Sequence, residues 1–111
     1  TNMFGDILSD EVSGLVGGLG LAPGANIGTS AAIFEAVHGS APDIAGRGVA
    51  NPSAQVLAAA MMLDHIGEVE RGNRIRAAIE HVIVTDNVRT RDLGGTASTR
   101  EFGDAVVKRV G

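Results

Sequence analysis

Asp6 and Asp10 stand four residues apart in Asp6-Ile-Leu-Ser-Asp10. On a helix that spacing sets both carboxylates on one face. Two convergent carboxylates, with water, make a hard oxygen site suited to Mg²⁺ or Mn²⁺. A substrate bringing its own carboxylate and hydroxyl could complete the octahedron, and the ion would then act as a Lewis acid on a developing carbonyl. The same pair also suits an ordinary helix start, where the dipole favours Asp. Spacing alone leaves both readings open.

The second chemical feature is His38-Gly-Ser-Ala-Pro-Asp-Ile-Ala-Gly46. A glycine-rich loop directly after a strand can wrap a nucleotide through backbone groups. An Asp in that loop can accept hydrogen bonds from ribose hydroxyls. The same carboxylate would repel a 2′-phosphate, which favours NAD over NADP. An ordered turn segment with no ligand is the plainer alternative. Asn51 also has two readings, as a helix N-cap and as an amide that reads an adenine edge, compatible if the side chain makes one contact and the backbone the other.

Other patterns carry less. The run from Gly14 to Pro23 invites comparison with the dinucleotide fingerprint, but Pro23 stands where the third Gly should be. It also follows a helix rather than a strand. His65 and His81 read as ordinary helix residues. Arg89-Thr90-Arg91 could bind phosphate, although exposed loop arginines serve equally well as a reading.

The elements that must position these groups follow from periodicity. Residues 5–16 read as a helix bearing the acidic pair, stopped by Gly17, Gly18 and Gly20. Residues 21–29 read as a loop. Residues 31–37 read as a strand with Ile33, Glu35 and Val37 on one face and Phe34 and Ala36 on the other. Residues 38–51 form a long ordered loop. Asn51-Pro52 starts a helix to about Ile66 that is apolar nearly all round, which predicts burial on several sides. A second helix spans 68–84, with Glu70 and Arg74 placed to pair. Ser98 and Glu101 form a capping box for a last helix that packs Phe102, Ala105 and Val106. This order contains one strand, so the remaining strands of a sheet are expected from elsewhere.

Composition narrows the partners. Thirteen acidic against nine basic residues give a net charge of −4, which does not favour nucleic acid or an anionic membrane. No apolar stretch is long enough to span a bilayer. Without Cys there is neither a disulfide framework nor a thiolate metal site. With three Phe and no Tyr or Trp, the core must be built mainly from Ala, Val, Ile, Leu and Met. The chain opens Thr1-Asn-Met-Phe-Gly-Asp6, unlike a targeting peptide, and reads as part of something larger.

Taken together, these residues resemble a known family. Asn2-x-Phe4-Gly5-Asp6-Ile7-x-Ser9-Asp10-x-x-Ser13-x-x-x-Gly17 is similar to the signature of the isocitrate and isopropylmalate dehydrogenases. The run from His38 to Gly46, continuing to Asn51-Pro52, resembles that family's cofactor loop without gaps. The resemblance covers essentially the whole chain. It implies an α/β fold: the C-terminal part of a two-domain enzyme, helix-rich in this portion and not a Rossmann fold. It divides the chain into a metal-site helix (5–16), a cofactor loop (38–51) and large-domain helices (52–110), the upstream portion being absent. It implies that Asp6 and Asp10 hold Mg²⁺ or Mn²⁺. It also implies that His38, Gly39, Ser40, Ala41, Pro42, Asp43, Ile44 and Asn51 surround the adenosine half of NAD.

Within the family, Ala22-Pro-Gly-Ala-Asn-Ile-Gly28, Phe34-Glu-Ala-Val-His38 and Asp92-Leu-Gly-Gly-Thr-Ala-Ser-Thr99 look most like NAD-linked isocitrate enzymes. NADP-linked relatives carry Lys-Tyr where this chain has Asp43-Ile44. The implied activity is NAD-dependent oxidative decarboxylation of isocitrate to 2-oxoglutarate. Isopropylmalate, homoisocitrate or tartrate dehydrogenases are alternatives, as is a non-catalytic regulatory subunit, against which the intact Asp6 and Asp10 argue. The family's substrate-binding arginines and catalytic Tyr and Lys match no position here, so no catalytic residue is expected in this chain and the isolated chain is expected to be inactive. A homodimer or higher oligomer is expected of the full enzyme, in the cytoplasm, or in the mitochondrial matrix if eukaryotic.

Overall fold

A computed structural model describes residues 23–37 and 40–111. The expected metal-site helix, with Asp6 and Asp10, lies outside the described residues, as do His38 and Gly39.

The first departure from the sequence reading is a second strand. β1 (Pro23–Ile27) pairs antiparallel with β2 (Ala32–Ala36), in a register running from Pro23 opposite Ala36 to Ile27 opposite Ala32. The chain therefore makes a hairpin where a loop and a lone strand are expected. Pro23, Gly24 and Asn26 are turn-forming types, and local propensity hides the strand. Pro23 is tolerated because it stands at the strand's first position. The hairpin closes where the Gly28 N–H donates to the Ala31 carbonyl at 2.8 Å.

β2 keeps the expected alternation. Phe34 and Ala36 are half-buried, whereas Ile33 and Val37 are 62% and 51% exposed. The Phe34 ring meets the His65 ring at 5.6 Å between centroids, so this face of the hairpin lies under the next helix.

α1 (Ser53–His65) buries Ser53, Ala54, Leu57, Ala58 and Ala60. It lies between the hairpin and α2 (Val69–Glu80). Small side chains let α1 and α2 approach closely: a Cβ on Gly72 would stand 2.9 Å from the Ala60 carbonyl oxygen. Burial is not complete all round, since Met62 and Ile66 remain exposed. Arg74 does not make the expected pair with Glu70; its Nη2 donates to the Val110 carbonyl at 2.7 Å.

The helix expected to reach Val84 ends at Glu80 and widens into one π turn (His81–Thr85). The run Val82-Ile83-Val84-Thr85 is wholly β-branched, and such residues crowd the preceding turn of an α-helix. The turn leaves Val82 and Ile83, consecutive in sequence, both buried. α3 (Thr99–Val110) then packs Phe102 and Val106 against them. Leu57, Ala78, Ile79 and Leu93 complete this core, with Ala105 at its margin. Among the described residues no helix is long and apolar enough to cross a membrane.

Candidate functional site

The loop from Ser40 to Ala50 leaves its side chains largely in solvent. Ser40, Ala41, Pro42 and Asp43 are exposed, and Ile44 and Val49 are half-buried. Pro42–Ile44 forms a short 3-10 turn, closed by the Ile44 N–H donating to the Ala41 carbonyl at 3.1 Å. Ala41 itself is left-handed, with φ 42° and ψ 61°. A non-glycine residue held there carries about 1–2 kcal/mol of strain. Such outliers concentrate at ligand-binding segments. The turn presents Asp43 on the outside of the loop.

Asn51 ends the loop and starts α1. Its Oδ1 accepts from the Ser53 N–H at 2.9 Å, but the helix starts one residue later than expected: Pro52, not Asn51, is the N-cap, and Asn51 holds the first helical N–H from just outside. Its Nδ2 donates to Asp92 Oδ2 at 3.0 Å. An amide has two N–H groups and two oxygen lone pairs. Among the described residues one of each remains open, and the side chain is engaged at both ends by protein groups.

Asp92 and Thr99 went unnoticed as site residues in the sequence. Asp92 sits in a 3-10 turn (Arg91–Leu93), and its other oxygen accepts from the hydroxyl of Thr90, which is fully buried. Thr99, at the start of α3, reaches back to the loop twice. Its N–H donates to the Gly48 carbonyl at 2.8 Å, and its hydroxyl donates to the Ala50 carbonyl. Glycines 94 and 95 mark a turn in the sequence, but nothing local points to a partner so far back along the chain. Gly95 is required by contact: a Cβ there would stand 2.0 Å from the Arg89 carbonyl oxygen.

The arginine run serves the scaffold in part. Arg89 is half-buried and donates through Nε to the Ile83 carbonyl at 3.0 Å, while Arg91 is exposed. A groove of about 530 Å³ opens beside this turn, lined by Arg89, Gly95, Thr96, Ala97 and Glu101 among others. None of the residues expected to meet the nucleotide lines it. Among the described residues no three metal-ligating side chains cluster.

The sequence profile of the family described as isocitrate/isopropylmalate dehydrogenase matches residues 1–106. The chain belongs to that family. A homoisocitrate dehydrogenase of Methanocaldococcus jannaschii is 57% identical over 110 residues, covering 99% of this chain and 31% of the relative. Subunit 2 of the mitochondrial NAD isocitrate dehydrogenase of Kluyveromyces lactis is 56% identical, covering 98% of this chain and 30% of the subunit. The crystal structure of isocitrate dehydrogenase from Methylococcus capsulatus superposes with a TM-score of 0.81 at 56% identity, over 99% of this chain and 33% of that one. This isocitrate/isopropylmalate dehydrogenase chain therefore spans about a third of the length of the relatives it matches. In it the loop and turn just described form one connected unit, 48–51 with 90–99.

Proposed function

We propose that the protein carrying this chain is an NAD-dependent dehydrogenase that oxidises isocitrate and decarboxylates it to 2-oxoglutarate with Mg²⁺ or Mn²⁺. The observation that carries the reading is the family match running through both the acidic pair and the whole of the 38–51 loop. Asp43, exposed on its turn, supports NAD over NADP, because a fixed carboxylate accepts from ribose hydroxyls and repels a 2′-phosphate. Asp6 and Asp10 are the proposed metal ligands. His38, Gly39, Ser40, Ala41, Pro42, Asp43, Ile44 and Asn51 are the proposed nucleotide contacts. When bound, the metal supplies Lewis acidity at the substrate oxygens and NAD supplies the hydride acceptor. The groups of this chain bind and orient; the acid–base groups of the reaction lie elsewhere in the protein, so the 111 residues alone give no turnover.

A second reading, with homoisocitrate as substrate, is favoured by the Methanocaldococcus jannaschii relative. Steady-state kinetics of the full-length protein decide between them. The expected result is a higher kcat/KM for isocitrate than for homoisocitrate or isopropylmalate, with NAD preferred to NADP and activity abolished by EDTA. A preference for homoisocitrate would replace the first substrate by the second. Metal-independent turnover would sink the role given to Asp6 and Asp10.

A further inference from the structure

Burial does not hold the 40–51 loop in place: between Ser40 and Ala50 no residue is buried, and only Ile44 and Val49 are half-buried. An exposed segment of this kind opens locally at little cost unless hydrogen bonds tie it to the core. Three such bonds converge on its last four residues. Thr99 takes the carbonyls of Gly48 and Ala50, and Asp92 takes the side chain of Asn51. Asp92 is itself well fixed. One of its oxygens faces the buried Thr90 hydroxyl, and the Thr90 carbonyl in turn accepts from the N–H groups of Leu93 and Gly95 at 3.0 and 2.9 Å. The carboxylate therefore bridges a buried turn on one side and the loop's terminal amide on the other.

We infer that Asp92 is a positioning residue for the nucleotide loop: by fixing the Asn51 amide, with Thr99 holding the adjoining backbone, it presets the loop in its binding conformation. The inference rests on the proposed function, which places NAD at this loop. Between Asp92 and the Ser53 N–H, the Asn51 amide is gripped at both ends, so its plane is set before any ligand arrives. A preset contact loses less ordering entropy on binding than a free one. The geometry also separates shape from charge. Asn in place of Asp92 can still accept from Asn51 through its oxygen, while its NH₂ donates to Thr90, whose hydroxyl accepts as readily as it donates. Asp92→Asn thus keeps both bonds and loses only the charge; Asp92→Ala loses both bonds.

The test uses the full-length protein in three forms: wild type, Asp92→Ala and Asp92→Asn. Two quantities are read: amide exchange of peptides over 40–51 without nucleotide, and the Kd and KM for NAD beside kcat. In Asp92→Ala we expect loop exchange about tenfold faster and Kd for NAD raised about tenfold, the effect of losing the one bond that reaches the loop, from Asn51, at about 1.4 kcal/mol. Exchange in the helix of residues 69–80 stays as in wild type, and the loss falls on KM rather than kcat. Asp92→Asn is expected to restore wild-type exchange and affinity. Unchanged loop exchange in Asp92→Ala would overturn the clamp. Faster exchange with unchanged NAD affinity would overturn its service to the nucleotide. An Asp92→Asn variant that behaves like Asp92→Ala would overturn the geometric account. Wild type that binds no NAD would bring down the nucleotide reading and this inference with it, and that case is distinct because wild type itself fails. If Asp92→Ala does not fold, Thr99→Val, which removes the hydroxyl bond to Ala50, carries the same comparison.

Discussion

The guanidinium of Arg76, 2% exposed, is held by the carboxylate of Asp64 across the contact between α1 and α2. Asn73 accepts from the same guanidinium at 3.0 Å. Breaking a buried pair from one side strands the remaining charge, whereas replacing both partners by apolar groups often does not destabilise. Arg76→Met is therefore expected to lower stability by about 2–3 kcal/mol, somewhat under the figure for a fully buried pair because Asp64 keeps some contact with water. Asp64→Leu with Arg76→Met is expected to recover most of that loss. Urea unfolding of the two variants checks it; losses that simply add would contradict the coupling.

Gly72 sits mid-helix, where Ala would ordinarily gain about 1 kcal/mol in propensity. Here the added methyl would stand 2.6 Å from Asp64 Oδ1 and 2.9 Å from the Ala60 carbonyl oxygen. The Ala60 oxygen is backbone and cannot swing aside, so the helices must part. Overpacking of this kind costs about 1–3 kcal/mol, enough to reverse the propensity gain. Gly72→Ala is expected to lower Tm; a higher Tm would show that the helices separate freely.

Arg109 grips Asp86 through two nitrogens, the Nε–H donating at 2.8 Å, and ties the end of the π turn to α3. The hydrogen bond from Arg109 holds the Asp86 carboxyl below its ordinary value of 3.8; partial desolvation opposes the shift, and the Arg109 charge adds to it. A depressed carboxyl stabilises the fold above its unfolded pKa and loses that contribution as pH falls through the folded one. Wild type and Arg109→Gln should differ by a constant amount near neutrality and converge in acid, as pH falls below the ordinary carboxyl value of 3.8 and through the depressed one. A difference persisting unchanged at pH 2 would mean the pair acts through packing.

The Glu101 N–H donates to Ser98 Oγ at 3.1 Å and caps α3. Ser98→Ala is expected to cost about 1 kcal/mol. Because Thr99 stands next in the chain, fraying there should also loosen Gly48 and Ala50. Exchange at Glu101 and across 48–51 should rise together; a rise at Glu101 alone would show that Thr99 keeps its grip without the cap.

Where neighbours in sequence decide the structure, much of it was legible, although the π turn after Glu80 and the unformed Glu70–Arg74 pair were not. Ser98 caps its helix and Asn51 holds the first N–H of α1 because the bonded N–H lies two or three residues away, although the N-cap of α1 is Pro52. Phe34 and Ala36 turn inward by simple alternation. Where a distant partner decides, the sequence was silent. β1 is held by its register with β2 against the preferences of Pro23 and Gly24. Nothing beside Arg76 in the chain marks it for burial; Asp64, twelve residues back, holds it inside. The candidate site divides in the same way. Asp43 and Asn51 stood out by residue type and loop context, but Asp92, 41 residues from Asn51, did not. Asp6, Asp10, His38 and Gly39 lie outside the described residues and rest on motif alone.

The grip of Thr99 on Ala50 spans 49 residues of chain. Synthesis proceeds from the N-terminus, so the ribosome delivers the loop well before the residues that fasten it. At 5–20 residues per second the interval is about 2–10 s. During that time the 40–51 loop has its own turn and the start of its helix but no latch. A later-made segment therefore finishes a region made long before, and a chain cut short just upstream of Asp92 would carry every proposed nucleotide contact while lacking the bonds of Asp92 and Thr99 to the loop.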